Sequence, residues 1–251
     1  MSVTEIVLLT AVGLISGAVN AVAGGGSLIV FPALLAVGLP VLDANVTNSI
    51  AQWPSYVGAT VGQRSDLIGQ RRRLSLVLPV TAVGALCGAV LLLVLPSSVF
   101  GAVVPILVLA ASALMALQPQ IKRWTGDPQP GHPDRTKAML IAIFFAAVYG
   151  GYFSGALGVI LMALLAITAN DTLRRLNATK MALALTAASV TIVVFTALGA
   201  PVHWALVATV GPATLAGGFL GAKVAQRLND EWLRWSVVVL GVAVGIYLLV
   251  S

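Results

Sequence analysis

Apolar residues fill this chain in runs long enough to cross a lipid bilayer, divided by short polar connectors. A membrane-spanning helix needs about 20 predominantly apolar residues. Stretches 44–63, 74–95, 98–117, 177–199, 202–225 and 235–250 meet that template, the last of them short. Residues 5–42 and 138–169 do not: each is too long for one span and is interrupted by Gly and polar side chains, so each predicts a hairpin. At about 1.5 Å per residue the first reaches roughly 57 Å, just enough for two crossings of a hydrocarbon core about 30 Å thick. Two full crossings and a re-entrant pair both fit. The pattern predicts an all-α polytopic membrane protein of about 8–10 membrane segments.

Composition narrows the class further. The 251 residues are 59% hydrophobic and 9% charged, with mean hydropathy +1.01, whereas a soluble domain carries about 25% charged residues. That excludes a soluble globular protein, and the recurrence of apolar runs from 5 to 250 leaves no room for an extramembrane catalytic domain. The net charge of +6 comes from Lys and Arg placed almost entirely in connectors, so it reports membrane orientation and not nucleic-acid binding. Cys87 stands alone inside an apolar run, able to form neither an internal disulfide nor a multi-cysteine metal site, and reads as a small core hydrophobe. Met1 to Leu9 contains Glu5 and no Lys or Arg; without the positive region of a signal peptide, the first segment is expected to be retained.

The one clearly soluble stretch is 118–137, rich in Pro, Gly and charge. It divides a first transmembrane repeat, 1–117, from a second, 138–251. Sliding the halves by 132 residues sets Asn45-Val46-Thr47-Asn48 on Asn177-Ala178-Thr179-Lys180 and Gly26 on Gly158; one further inserted residue sets Pro79, Gly84 and Gly88 on Pro212, Gly217 and Gly221. The positive-inside rule makes the connectors holding Arg64 and Arg71 to Arg73, the 118–137 linker, Arg174 with Arg175, and Arg227 with Arg234 cytoplasmic, and puts 199–203 outside. Each half then holds an odd number of crossings, five if a hairpin counts as two, and the expected architecture is two inverted-topology repeats, each of three to four full spans plus a Gly-broken hairpin, with both termini outside. His132 and His203 read as solvated connector residues.

Inverted repeats with interrupted helices are the architecture of secondary transporters, whose substrates bind near the midplane where broken helices expose backbone. The first break is Asn20 to Ser27, with Gly24, Gly25 and Gly26 consecutive; the second is Tyr149 to Gly158, containing Tyr152, Gly155 and Gly158. Three glycines weaken a helix by about 1 kcal/mol each relative to Ala, and backbone freed in a membrane must be protein-buried or line a water-filled cavity. A helix restarting after each break would offer unpaired N–H groups and a positive dipole end to an anion. The isolated pairs Gly13/Gly17, Gly84/Gly88 and Gly217/Gly221 read instead as close helix packing.

A second constellation comprises Asn45, Thr47, Asn48, Gln52 and Trp53 with Asn177, Thr179 and Lys180. Such groups act either as interhelical hydrogen-bonding glue or as the lining of a site. Lys180 either snorkels to the membrane surface or strengthens an anion site from within; Lys223, one turn from Arg227, reads as snorkelling. The sequence has no GxxxxGK[ST] loop for an ATP-driven step. Its eight acids all fall in or near connectors, leaving no mid-membrane carboxylate to shuttle protons, and no Ser, His and acid trio is placed in spans. No cofactor, metal site or enzymatic activity is expected.

The runs Gly13 to Gly17, Gly24-Gly25-Gly26-Ser27-Leu28-Ile29-Val30-Phe31-Pro32 and Ala44 to Asn48, echoed by Gly155 to Gly158, Asn177 to Lys180 and Gly217 to Lys223, resemble the sulfite exporter TauE/SafE family of small bacterial membrane permeases over essentially the whole chain. The second half departs in having Ala156-Leu157-Gly158 where the first has three glycines, so any anion nest there should be less extended. The resemblance implies a multi-pass protein of the bacterial cytoplasmic membrane that moves small anions such as sulfite, sulfoacetate, related sulfonates or carboxylates. On that reading Asn20, Gly24, Gly25, Gly26, Ser27, Asn45, Thr47, Asn48, Gln52, Tyr152, Gly155, Gly158, Asn177, Thr179 and Lys180 bind the substrate as the inverted halves rock. The partners are then the anion and the bilayer, with a homodimer compatible. A facilitative channel-like pore and a non-transporting scaffold subunit are the alternatives. Cysteine-accessibility labelling should place 64–73 and 199–203 on opposite sides of the membrane; the same side would sink the inverted arrangement.

Overall fold

The computed structural model describes residues 2–125, 134–224 and 230–250, and among them there is no strand. The first half holds α1 (Val3–Val22), α2 (Ser27–Ala36), α3 (Val41–Gly62), a 3₁₀ turn at Arg64–Leu67, α4 (Arg71–Val94) and α5 (Ser97–Thr125). The second holds α6 (Thr136–Tyr152), α7 (Leu157–Thr168), α8 (Leu173–Ala197), α9 (Trp204–Val224) and α10 (Asp230–Val250). Five helices have the length and hydropathy of a membrane span: α1, α4, α5 over Ser97–Leu117, α8, and α9 up to Lys223. Helix α5 continues into the stretch that reads as linker, and α8 starts at Leu173 because Thr172 caps it, accepting the Arg175 N–H. His132 and Arg227 lie outside the described residues.

Both hairpins return to the end at which they start. Glu5 of α1, Val37 and Leu39 after α2, and His203 line one cleft; at the other end the Arg135 N–H donates to the Thr168 carbonyl at 2.8 Å and the Asn170 N–H to Asp134 at 2.9 Å. The second leg of each is too short to cross: α2 has 10 residues and α7 has 12, about 15 and 18 Å. The re-entrant form is therefore the one realised, entering from opposite ends. Beside its hairpin each half holds three further long helices, α3 to α5 and α8 to α10.

The helix breaks have local causes. Helix α1, opened by a reciprocal Ser2/Glu5 cap, stops where the Ala23 and Gly24 N–H groups both donate to the Val19 carbonyl and Gly24 turns to φ +83°, left-handed backbone that glycine adopts without strain. At the 132-residue offset Gly24 falls on Ala156, the only described non-glycine residue with positive φ, at +53°. The second break thus keeps the left-handed turn of the first despite having lost its glycine, at the cost of local strain. The two breaks meet. A Cβ added at Gly24 would lie 2.6 Å from the Cα and carbonyl carbon of Gly158.

Helix contacts recur with the halves exchanged: α1 packs on α9 as α6 packs on α4, α3 on α9 as α8 on α4, and α2 on α10 as α7 on α5. Small residues make these crossings tight. A Cβ at Gly17 would overlap the Thr214 and Gly218 backbone, one at Gly217 that of Leu14, and one at Gly84 or Gly88 the Phe144 or Val148 carbonyl, which is the packing expected of such spacings. The outer face is apolar, with Val83, Leu86, Val193 and Leu220 all exposed. Cys87 belongs to this face rather than to the core. Lys223 is also exposed, its ammonium 4.2 Å from the Phe219 ring centroid.

Gly24 and Gly38 separate backbone strain from close approach. Both have positive φ, but nothing lies within 4 Å of a Cβ added at Gly38. Thermal unfolding of purified protein should show Gly38→Ala costing about 1–2 kcal/mol from the left-handed backbone alone, and Gly24→Ala costing a further 1–3 kcal/mol, approximately, from overpacking. Equal losses would mean that the breaks do not touch.

Candidate functional site

Helix α3 is too polar for a lipid-facing span, and the fold places it inside. Asn45, Thr47, Asn48, Gln52 and Ser55 are all buried. Residues 45, 48, 49, 52 and 56 fall on one helical face. Residues 180, 184, 187, 188 and 191 do the same on α8. Between these stripes, α3 contributes Ser49, Gln52 and Tyr56, the second break Ser154, and α8 Ala184 and Thr191 to a central void of about 10 Å³, room for about one water. The centre is occluded.

The polar groups around the void divide into three sets. The first braces the α1–α2 break. Asn20 Nδ2 donates to Gln52 Oε1 at 2.9 Å and to Ser55 Oγ at 3.1 Å, while its Oδ1 accepts the Gly26 N–H at 2.9 Å; Gln52 in turn donates to Ser16, whose hydroxyl donates to the Gly26 carbonyl at 2.8 Å. Several N–H groups of the restarting helices are bonded within their own first turn. The Leu28 and Ile29 N–H groups donate to Gly25 and Gly26, and those of Leu157 and Val159 to Ser154 and Ala156. In the second break the Tyr149 hydroxyl donates to the Gly155 carbonyl at 2.6 Å.

The second set lies toward the His203 end. Asn45 Nδ2 donates to the Tyr152 carbonyl at 3.1 Å, Asn48 Nδ2 lies 3.4 Å from Ser154 Oγ, and Ser154 Oγ lies 3.4 Å from Ser27 Oγ. Thr47 Oγ1 accepts the His203 N–H at 3.2 Å, and the His203 ring is 3.0 Å from Asp43. His203 is thus a joint between α3 and the α9 connector, not merely a solvated residue. Trp53 faces α8, donating to Ser189 Oγ at 2.8 Å.

The third set lies toward the arginine-rich end. Asn177 Nδ2 donates to Gln63 Oε1 at 2.7 Å and to the Ala21 carbonyl at 3.3 Å, and the Thr179 hydroxyl donates to Gln70 Oε1 at 2.8 Å. Lys180 is 1% exposed and therefore does not snorkel to the surface; among the described residues no hydrogen bond or ion pair reaches its ammonium. Arg73 then ties the halves together, bidentate to Asp134 at 2.8 and 3.0 Å and 2.9 Å from Asp171, which Arg175 also meets at 2.9 Å. Ser16, Ser55, Ser154, Gln63 and Gln70 are absent from the residues the sequence singles out. Ser154 sits inside the second break, Gln63 precedes the arginine-rich connector and Gln70 lies within it, the only signal each carries.

Fold and site together define a polytopic membrane protein with an occluded polar centre between two re-entrant hairpins. The chain belongs to the sulfite exporter TauE/SafE family, whose model matches residues 9–248. It is 28% identical over 223 residues to a probable membrane transporter protein, YfcA, of Escherichia coli strain K12, an alignment covering 86% of this chain and 78% of that protein. A probable membrane transporter protein of Haemophilus influenzae is 23% identical over 239 residues, covering 93% and 90% of the two chains, and a probable membrane transporter protein, ORF9, of a Sinorhizobium species is 32% identical over 108 residues, covering 43% and 41%. No solved structure matches the chain. The family is one of membrane transporters.

Burial works against ionisation of Asp171, but hydrogen bonds from Arg73, the Thr172 N–H and Arg175 outweigh it and hold the carboxyl below its ordinary value. A carboxyl depressed in the folded state stabilises above its ordinary value, and that contribution is lost as pH falls through the folded one. Asp171→Asn should therefore unfold at a lower temperature than the unsubstituted protein at about pH 7, and the gap should narrow as pH falls below about 4. A gap unchanged by pH would show that the carboxylate charge contributes nothing.

Proposed function

We propose that the protein is a secondary transporter for small anions, such as sulfite, organosulfonates including sulfoacetate, or related sulfur or carboxylic anions, working in a bacterial cytoplasmic membrane by alternating access between inverted halves. The observation that carries the reading is Lys180. A buried ammonium with no counter-charge is costly in a low-dielectric interior, and a bound anion would supply the missing charge. Lys180 shares its helical face with the alanines that line the central void, so an anion there lies on the path between the halves. The helix pairings that recur with the halves exchanged support a rocking motion. Room for about one water at the centre favours alternating access over a continuously open pore.

Closure at the arginine-rich end rests on Arg73 bridging Asp134 and Asp171 across the halves. Opening toward that end requires those pairs to part, while the opposite end is held by Asp43, His203 and Thr47.

The test is a thermal-stability screen of detergent-purified protein against sulfite, sulfate, thiosulfate, sulfoacetate, taurine and short carboxylates. A bound anion at 100 times its Kd should stabilise the protein by about 2.7 kcal/mol. Lys180→Ala should weaken that anion by about 10- to 100-fold, the worth of a charge-assisted contact, and Lys180→Arg should retain part of the affinity. Unchanged affinity for every anion would remove Lys180 from the site.

A further inference from the structure

We infer that Asn45 and Asn48, with Ser154 and the carboxyl end of α6, form a second site, for an alkali-metal cation. The side-chain oxygens Asn45 Oδ1 and Asn48 Oδ1 are buried and without a hydrogen-bond partner, on residues that are each 1% exposed. The orientation of Asn45 is set by chemistry: its Nδ2 donates to the Tyr152 carbonyl, a group that can only accept, so its own oxygen faces elsewhere. Asn48 follows one turn later on the same helical face.

The same two side chains lie beside further oxygens, which their amide nitrogens meet. Tyr152 is the last residue of α6, a helix that ends inside the protein, and the carbonyls of such an end carry the negative pole of the helix dipole. Ser154 Oγ, 3.4 Å from the Asn48 amide and 3.4 Å from Ser27 Oγ, adds hydroxyl oxygens. Two unpartnered acceptor oxygens call for a cation or a hydrogen-bond donor. No described His, Cys, Asp or Glu cluster of three or more exists to hold a metal, and an all-neutral oxygen set matches a singly charged cation better than a divalent one, which favours carboxylates. Carbonyl oxygens at the ends of interrupted helices are suited to coordinating a co-transported cation.

This site is separate from Lys180. Asn45 and Asn48 occupy the first turns of α3, at the His203 end, whereas Lys180 occupies the first turns of α8, at the arginine-rich end. The sequence marks the difference, since Asn48 and Lys180 coincide at the 132-residue offset and only the second is charged. A cation gradient would then supply the coupling that a chain with no mid-membrane carboxylate otherwise lacks. Only that coupling role rests on the anion-transport reading; the cation site itself does not.

The experiment compares thermal unfolding of the detergent-purified full chain in lithium, sodium, potassium and choline chloride at equal concentration, with no sulfur anion added. One alkali cation, at about 100 times its Kd, should raise the melting temperature by about 5–10 °C over choline. Asn45→Ala and Asn48→Ala should each remove most of that shift. Equal melting temperatures in all four chlorides would overturn the inference and leave the two oxygens to water. A shift that both variants retain would overturn the assignment to these residues. A sodium or lithium shift in protein that responds to no anion would leave the cation site standing and remove the anion reading instead.

Discussion

A helix that stops inside a membrane leaves carbonyls and N–H groups that no lipid can satisfy, and the arrangement of this protein follows from that constraint. The end of α6 is met by Asn45 from the other half, donating to the Tyr152 carbonyl, and the end of α1 is met by Asn177, donating to the Ala21 carbonyl. Asn20 accepts the N–H of Gly26, just before α2 restarts. Each half thus completes the broken helix of the other. The hairpins also meet directly, and the Gly24 and Gly158 backbones are pressed together where neither could carry a side chain.

The same reciprocity couples the ends. Arg73 of the first half holds Asp134 of the linker and Asp171 of the second half, and Asp43 and Thr47 of the first hold His203 of the second. The two closures differ in strength. The arginine-rich one has bidentate charge-assisted bonds on side chains 11–18% exposed, whereas the His203 side chain is 45% exposed and charged only when protonated. Partly buried pairs are screened less than exposed ones, so the arginine-rich end is the more firmly shut in this occluded state.

Charge placement separates the functional reading from mere packing. Asn20, Gln52, Asn177 and Thr179 have their hydrogen bonds made within the protein, which accounts for their burial without any ligand. Among the described residues, Lys180, Asn45 and Asn48 retain unmet chemistry: a buried ammonium that no ion pair reaches and two amide oxygens without donors. Buried groups of this kind are costly unless something completes them. Transport requires that such completion be temporary.

The helices, the two breaks and the alignment of the halves were legible in the sequence, because apolar run length, glycine position and a fixed residue offset are local or one-dimensional signals. The Gly13/Gly17 and Gly84/Gly88 spacings likewise announced close crossings. Whether the hairpins crossed or turned back was not legible, since 38 residues suffice for either and only the short α2 and α7, with ends brought beside His203 and Asp134, decide it. Cys87 and Ala156 show the same limit: which face of α4 meets lipid, and that an alanine takes glycine's left-handed turn, are outcomes of packing. The sequence by itself determined a multi-pass helical protein with two glycine-broken hairpins and a lysine, Lys180, following a repeated Asn-x-Thr. Tertiary structure alone decided which polar groups are satisfied and which are not, because a hydrogen bond between residues 45 and 152, or its absence at Lys180, depends on distances that no spacing along the chain encodes.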